Sequence, residues 1–329
     1  MTPLLHTPLA SASAARVPWF DLILAGLIVA LAWRALASRD LSRSAVFFIA
    51  FGLAVALAWA RMGAVDVALA EAAIGTGLLG VLLIDAIATL GRGVVAYRPQ
   101  RRLAALFLLL SAALLPLLWL ATWRMPAGGG LAAEAAARMN ESGVAHPVTA
   151  VLLNFRGYDT WLEIAVLLLA VLAMLAARGD PRFTAAPPAP SRGKQDILLS
   201  RLTRLLIPLM VLVGGAVLWL GESRPGGAFQ AGVILAAALI LARLAGLPAL
   251  DRLPPQSWRI LATVGFAAFF FFATLALASG RSLLEYHPES AGVVIFLIET
   301  ACTLSIGLSL AAFHALPGGD VPAPERRTG

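Results

Sequence analysis

Apolar residues follow one another along this chain in nine stretches, separated by segments rich in Arg, Gly and Pro. The stretches are Trp19–Ala37, Ser44–Ala60, Val65–Leu90, Leu103–Trp123, Trp161–Ala177, Leu202–Leu220, Phe229–Leu247, Trp258–Ser279 and Ala291–Phe313. A helix needs about 20 apolar residues to cross the hydrocarbon core of a bilayer. The ten-residue segments of alternating hydrophobicity that are typical of a membrane β-barrel do not occur. The pattern therefore predicts an all-α polytopic membrane protein with about nine transmembrane helices.

The composition narrows the class of protein further. Of 329 residues, 60% are hydrophobic and 13% are charged, whereas a soluble domain has about 25% charged residues. One core cannot hold so many apolar side chains, which excludes a water-soluble enzyme, and the same content excludes a disordered chain. The single cysteine, Cys302, excludes a disulfide framework within the chain and a multi-cysteine metal site. The four histidines are scattered, so no metal site is predicted.

The 25 basic residues give a net charge of +7 and lie between the apolar stretches rather than in one patch. This is how membrane topology signals are distributed, and it argues against nucleic-acid binding. The loops on the side of the amino terminus hold 7 basic residues, and those on the other side hold 18. The positive-inside rule then predicts that the amino end is outside and the carboxy end inside. The first apolar stretch has no cleavage site after it, so we interpret it as a retained span.

Two polar segments interrupt the apolar pattern. The segment Arg178–Lys194 reads RGDPRFTAAPPAPSRGK, which is Pro-rich and has no apolar periodicity. It predicts a cytoplasmic linker that separates five helices from four. The segment Met125–Ala145 contains three consecutive glycines and an Ala-rich stretch. We expect an outside loop with a short surface helix there.

Acidic residues within apolar stretches are the main candidates for chemistry, because a charge at the bilayer centre costs at least about 2.5 to 3.5 kcal/mol. The third stretch carries Asp66, Glu71 and Asp85. In an unbroken α-helix Glu71 and Asp85 share a face, about 21 Å apart, that could line a proton or cation route. In the alternative interpretation, Asp66 caps the helix start and Asp85 lies at the cytoplasmic interface near Arg92. Glu71 lies too deep for an interface role and is the favoured functional candidate.

The same stretch contains G-x-G-x-x-G at Gly75–Gly80. We reject a dinucleotide site, because that fingerprint must follow a strand and open a helix, whereas here it lies inside one apolar run. Small residues allow close helix packing, which is the interpretation we favour. Because they also lower helix propensity, the alternative is a local π-bulge.

Two further carboxyl groups lie in later stretches. Glu163 follows the string N-F-R-G-Y-D-T-W, in which Arg156 and Asp159 are predicted to form an outside charge pair. Glu163 is either part of an ion route or an interfacial anchor beside aromatic residues. Glu299 lies in mid-span near threonine and serine hydroxyls. An ion-path role and a buried interhelical hydrogen bond of a neutral acid fit it equally well.

The string G-E-S-R-P-G-G-A-F-Q-A-G begins at Gly221 and connects two apolar stretches. Pro225, Gly226 and Gly227 force a tight turn, on which Glu222 and Arg224 are placed to pair. A phosphate-binding loop is the alternative, but the string lacks the Walker spacing and its Lys. We therefore predict a structural or gating turn that borders an ion entrance.

Three strings resemble known membrane modules. D-V-A-L-A-E-A-A-I-G-T-G, from Asp66, resembles the D subunit of archaeal membrane-bound hydrogenases and the carboxy-terminal part of the A subunit of Mrp-type (Mnh) Na⁺/H⁺ antiporters. H-P-V-T-A-V-L-L-N-F-R-G-Y-D-T-W-L-E-I, from His146, resembles the E subunit of the hydrogenases or the extreme carboxy end of Mrp A. G-E-S-R-P-G-G-A-F-Q-A-G-V-I-L-A-A-A-L-I-L, from Gly221, resembles the Mrp B subunit.

The resemblance implies a division of the chain into five parts, in the order of the antiporter operon. They are a module like the hydrogenase D subunit (1–123), a module like the hydrogenase E subunit (124–180), the linker (181–200), an Mrp B-like four-helix domain (201–316) and a polar tail (317–329). The resemblance places the third-span acids, here Asp66 and Glu71, in the ion-translocating region. Mrp A often has its acid at the position of Gly75, so this chain departs from that pattern. It also lacks the antiporter-like section, and no predicted span contains a central Lys.

The function that follows is a membrane subunit of a multi-subunit Na⁺/H⁺ antiporter of the Mrp type in a bacterial inner membrane. The expected partners are antiporter-like subunits and small C, E, F and G-type subunits within the lipid bilayer. No cofactor is expected beyond the transported Na⁺ and H⁺. The candidate ion pathway comprises Glu71, Asp66, Glu163, Glu299 and Asp85. The alternatives are the membrane arm of a hydrogenase-type or complex-I-like redox pump and a scaffold that transports nothing.

Overall fold

The computed structural model describes residues 18–90, 101–124, 130–178, 197–247 and 255–315. These residues form helices and no strands. One long apolar helix is continuous but has three parts, which are α3 (Val65–Ala70), a π-helical segment (Glu71–Leu78) and α4 (Leu79–Leu90). The other long apolar helices are α1 (Pro18–Ala37), α2 (Leu41–Arg61), α5 (Arg101–Trp123), α8 (Gly157–Arg178), α9 (Ile197–Leu220), α10 (Ala228–Leu244), α11 (Pro255–Ala278) and α12 (Pro288–Ala315). Short helices α6 (Ala132–Ala137) and α7 (Pro147–Ala150) and a second π-helical segment (Val151–Phe155) precede α8.

The helices confirm the prediction of an all-α polytopic membrane protein. Eight of them, within the described ranges, are long and apolar enough to cross a membrane. A further apolar helix, α10, has 17 residues; at 1.5 Å per residue it is about 25 Å long, which is shorter than the hydrocarbon core of about 30 Å. The expected surface helix in the Ala-rich stretch is α6. The Pro-rich segment Arg178–Lys194, apart from Arg178, and the polar tail lie outside the described residues, while the last four residues of the 181–200 linker belong to α9.

Residues Met1–Gly80 make up the first of two compact units. In its described part α2 packs against α1, α3 and the first π-helical segment. Asp40 caps α2 by accepting hydrogen bonds from the backbone N–H groups of Ser42 and Arg43, at 2.9 and 3.3 Å. At the other end Arg61 pairs with Asp21 at 2.9 Å. Both ends of α2 are thus fixed by local electrostatics.

Residues Val81–Gly329 make up the second compact unit. Its centre is α12, which packs against α10 and α11, while α9 packs against α10. Glycines bring these backbones close together: a Cβ on Gly232 would lie 2.8 Å from Ile306, and one on Gly265 would lie 2.9 Å from Ser305. Small residues at helix crossings provide the close van der Waals contact that drives helix association in lipid.

The second unit also includes α8, which lies on the other side of the predicted linker in the sequence. The indole of Trp161 in α8 lies 5.4 Å from the ring of Phe266 and 6.4 Å from that of Phe269, both in α11. Further along, Val171 and Ala262 are fully buried in one cluster. The compact units therefore divide after Gly80, inside a helix, and not at the linker. The Pro-rich composition of the linker predicts that no helix forms in the linker, but it does not indicate which of the flanking helices pack together.

Helix α5 differs from the other long helices because every described side chain, from Ala105 onward, is exposed. It is as apolar as the others, and Trp119 and Trp123 stack on one another along its surface at 5.8 Å. A helix that is apolar all round suits burial in lipid or among other membrane subunits.

The predicted orientation of the termini can be tested with the only lysine, Lys194. A membrane-impermeant amine reagent should label the amino terminus in right-side-out vesicles and Lys194 in inside-out vesicles, because the positive-inside rule predicts a cytoplasmic linker. Mass spectrometry of the labelled peptides measures this, with Lys194→Arg as the control. Labelling of Lys194 from the outside would contradict the positive-inside assignment.

Candidate functional site

Glu71 is the first residue of the π-helical segment Glu71–Leu78, which joins α3 to α4. In a π-helix each N–H bonds to the carbonyl five residues earlier, and such segments are frequent at functional sites. The small residues from Gly75 onward therefore do more than allow packing, which was the favoured interpretation. They also lie in the segment where the α-helix changes to a π-helix, which begins at Glu71. A helical wheel for an unbroken α-helix does not apply across this segment, so the prediction that Glu71 and Asp85 share a face loses its basis.

The carboxyl group of Glu71 lies over Gly75 and against Gly52 of α2. A Cβ on Gly75 would lie 2.9 Å from Cδ of Glu71, and one on Gly52 would lie 3.5 Å from its Oε1. Gly75 thus leaves space for the carboxyl group that any other residue would fill, whereas a Cβ on Gly52 would only be in ordinary contact with it. The side chain of Glu71 is partly buried and makes no hydrogen bond or ion pair with the described residues.

Thr76 lies beside Glu71 and was not identified from the sequence. The residue is 6% exposed, and its Oγ1 lies 2.5 Å from the position of a Cβ on Gly52. This hydroxyl has no hydrogen-bond partner among the described residues. Its position five residues after Glu71 is significant only in a helix with i→i+5 geometry, so a helical wheel with 3.6 residues per turn does not reveal it.

The other two acids of the third stretch occupy different surroundings. Asp66 is partly buried in the first turn of α3, where a negative charge interacts favourably with the helix dipole. Asp85 in α4 is exposed and lies 3.5 Å from Nδ1 of His314, whose side chain is only 6% exposed. Arg92, the expected neighbour of Asp85, lies outside the described residues. No sequence pattern indicates the pairing with His314, because the two residues are far apart in the chain.

Glu299 is buried in the middle of α12, where it meets the first residues of α10. It is 4% exposed. The backbone N–H of Ala228 interacts favourably with its carboxyl group, and Thr303 lies one turn further along, its hydroxyl 3.5 Å from the carbonyl of Ala228. The free N–H groups at a helix start carry a partial positive charge, so this location favours a carboxylate.

Gly227 precedes α10 with φ of 107° and ψ of −166°. This region is accessible essentially to glycine alone. A Cβ there would also lie 2.8 Å from Oε1 of Glu299. Glycine at position 227 is therefore required for the turn, which was predicted, and also for the close approach of Glu299, which was not predicted.

The segment before α8 covers this turn. The carbonyl of Gly221 accepts a hydrogen bond from the hydroxyl of Thr149 at 2.6 Å. The carbonyl of Glu222 accepts from the backbone N–H groups of Ala145 and His146, at 3.0 and 2.9 Å. The Glu222 side chain is exposed and borders a pocket of about 960 Å³. It does not pair with Arg224 within the described part of the chain, so that expectation was wrong; both side chains are exposed.

Glu163 is exposed on α8, one to two turns after the ion pair that Arg156 forms with Asp159. The second π-helical segment, Val151–Phe155, precedes α8 and was not revealed by the sequence. Asn154 donates to the carbonyl of Ser142 at 2.8 Å, and the hydroxyl of Thr160 donates to the carbonyl of Leu152 at 2.7 Å. Side-chain hydrogen bonds thus support the irregular backbone.

The loop between α11 and α12 packs on the same region. Leu284 and Tyr286 join a buried cluster with Val144 and Leu153. Burial raises the pKa of the Tyr286 hydroxyl. The backbone N–H of Ser282 donates to Glu285 at 2.8 Å and lowers the pKa of this exposed carboxyl group.

Two family models match parts of this chain. Residues 198–316 match the domain related to the MnhB subunit of a Na⁺/H⁺ antiporter. Residues 26–92 match MbhD, the family described as the D subunit of MBH. The first match covers the region from α9 to α12 with Glu299, and the second covers the π-helical segment with Glu71. No curated protein matches the chain.

Two solved structures share the fold. A chain of the Mrp complex from Dietzia sp. DQ12-45-1b matches with a TM-score of 0.76 and 23% identity over 93% of this chain, which spans only 35% of that chain. A chain of the membrane-bound sulfane sulfur reductase, an archaeal respiratory membrane complex, matches with a TM-score of 0.51 and 22% identity, over 68% of this chain and 100% of that chain. With the family models, they confirm the resemblance to Mrp/Mnh-type antiporter subunits and to membrane-bound hydrogenase subunits. The specific resemblance of the segment from His146 to the hydrogenase E subunit stays a prediction.

Proposed function

We propose that this chain, with its MnhB-related and MbhD-like domains, is a membrane subunit of a multi-subunit cation/proton antiporter of the Mrp type. The proposed ions are Na⁺ and H⁺, and the proposed location is a bacterial inner membrane. The similarity to the Mrp complex supports this, as do the two family models. The partners would be antiporter-like and small membrane subunits, since the chain spans about a third of the matched Mrp chain.

The observation that carries the proposal is the position of Glu71. A carboxyl group without a partner among the described residues opens a π-helical segment and lies in space that Gly75 keeps free, in contact with Gly52. Within a membrane such a group must be neutral, paired or beside water. Protonation or binding of a monovalent cation makes it neutral, so the same carboxyl group can hold either ion in turn.

The remaining acids would extend the route. Asp66 lies in the first turn of α3, and Glu299 in mid-α12 faces the first residues of α10; both helix starts favour a negative charge. Asp85 and Glu163 are exposed in this chain, so in the complex they would face partner subunits or the interface. The chain has no lysine in an apolar helix; proton movement over the whole complex would therefore depend on residues of the partner subunits.

Two findings favour a second function. The MbhD-like domain relates this chain to the D subunit of MBH, and the match to the sulfane sulfur reductase relates it to an archaeal respiratory membrane complex. In a redox-driven pump the same membrane modules would move ions, and catalytic subunits would supply the chemistry.

The two functions differ in what drives ion movement. The chain should be purified with its native companions through a tag, the companions identified by mass spectrometry, and the complex reconstituted in vesicles with a pH-sensitive dye. For an antiporter, a Na⁺ pulse alone should move protons. Companions that carry redox centres, together with proton movement only after addition of an electron donor, would contradict the antiporter and favour the pump.

A further inference from the structure

We propose that Thr76 and Glu71 together form a binding site for a small, partly dehydrated monovalent cation, in which Thr76 determines cation affinity. The inference rests on the proposed function, because it assigns a ligand to the same carboxyl group. It adds a residue that neither the sequence pattern nor the resemblance identifies.

The hydroxyl of Thr76 differs from those of four other helical threonines in the described part of the chain. Thr122, Thr274, Thr300 and Thr303 each donate to the carbonyl of the residue four positions earlier, at 2.8 to 3.0 Å. This local bond is the usual partner of a threonine in a helix. Thr76 lies in the π-helical segment and lacks it. Its oxygen is therefore available to a ligand.

The surroundings of Thr76 point to Glu71. Oγ1 of Thr76 and Oε1 of Glu71 both border the position of a Cβ on Gly52, at 2.5 and 3.5 Å. A buried hydroxyl without a partner costs free energy, and such a group calls for an explanation such as a bound water or ion. One carboxylate and one hydroxyl are hard oxygen donors, which suit hard cations rather than soft metals.

The charge of the site selects the valence of the cation. Glu71 supplies one negative charge, and no other charged side chain contacts it within the described residues. A monovalent cation leaves the site neutral, as a proton does, whereas a divalent cation leaves a net positive charge inside the membrane. The exchange is balanced as Glu71–COOH + M⁺ ⇌ Glu71–COO⁻·M⁺ + H⁺.

Removal of the Thr76 hydroxyl should weaken the binding of the cation at Glu71 more than the binding of the proton. The proton forms a covalent O–H bond with the carboxyl group, but the cation needs several oxygen ligands to replace its hydration shell. We therefore expect Thr76→Val, which keeps the shape of the side chain, to raise the half-saturating Na⁺ concentration about tenfold, the effect of losing one strong polar contact. The maximal rate at saturating Na⁺ should change by less than about threefold.

Thr203 offers a matched control. It is fully buried, its hydroxyl also lacks a partner among the described residues, and it lies in α9 of the other compact unit. Thr203→Val should leave the half-saturating Na⁺ concentration unchanged, while Thr76→Ser, which keeps the hydroxyl, should stay within about threefold of the wild type. Co-purification with the companions checks the assembly of each variant, and Thr76→Ala replaces Thr76→Val if the latter does not assemble.

A measurement without ion flux keeps this inference separate from the proposed function. A carbodiimide reacts with protonated carboxyl groups, so Na⁺ bound at Glu71 should slow its modification in the purified complex, as read by mass spectrometry. Thr76→Val should require about ten times more Na⁺ for the same protection. Wild-type protection that is absent, or equal in Thr76→Val, would overturn the inference even if the complex exchanges ions. Normal protection in a complex without Na⁺-driven flux would overturn the proposed function and leave the binding site intact.

Discussion

A complex that carries Glu71→Gln is expected to lose Na⁺-driven proton movement by about 100-fold or more, which is the range for removal of an essential proton-transferring group. Glutamine has the same size as glutamate and fits between Gly52 and Gly75, so assembly should be retained. The amide neither releases a proton nor balances the charge of a cation. Proton flux after a Na⁺ pulse in reconstituted vesicles measures the effect.

Glu134→Gln is the matched control for this result. Glu134 is 64% exposed in its side chain and makes only a long, exposed ion pair with Arg138 at 4.0 Å; such pairs contribute little. The control should exchange ions as the wild type does. Full flux in an assembled Glu71→Gln complex would eliminate Glu71 as the carrier, and loss of assembly in that variant would indicate a scaffold role.

The departure from the Mrp A pattern has a physical explanation at the same site. The resemblance places the Mrp A acid at the position of Gly75, and in this chain the carboxyl group of Glu71 lies over Gly75 itself. The charge reaches the same space from one turn earlier, and residue 75 must then be glycine. Consequently, Glu71→Ala combined with Gly75→Glu should recover part of the flux that Glu71→Gln loses.

The sequence predicts the helices of this protein well, because membrane insertion depends on local apolar runs of fixed length. It also makes Glu71 a candidate, because a charge in such a run is costly wherever its partners lie. Thr76 is different. Its relation to Glu71 depends on the π-helical segment, and small residues raise the chance of such a segment without determining it.

Other features of the structure could not be predicted because they depend on contacts between distant parts of the chain. Glu299 meets Gly227, and His314 meets Asp85, across more than seventy residues of sequence. One sequence contains no signal for such pairs. The turn at Gly227 could be predicted from its own residues, but the carboxyl group that adjoins it comes from α12.

Gly227→Ala is expected to destabilise the second compact unit by about 2 to 4 kcal/mol. A residue other than glycine in this backbone region costs about 1 to 3 kcal/mol, and the new Cβ would also lie 2.8 Å from Oε1 of Glu299. The displaced carboxyl group would lose the N–H of Ala228 and remain buried, at a further cost of about 1 to 3 kcal/mol that relaxation offsets in part. Thermal unfolding of the complex in detergent should show a clear fall in Tm.

Gly215→Ala distinguishes this effect from the general consequence of replacing a glycine. Gly215 lies within α9, and a Cβ there meets nothing within 4 Å; alanine should be neutral or stabilise by up to about 1 kcal/mol. Combining Gly227→Ala with Glu299→Ala should relieve the collision but retain the backbone strain, so the two changes should cost less together than the sum of their separate effects. An additive result, or an unchanged Tm for Gly227→Ala, would show that Glu299 does not depend on the turn before α10.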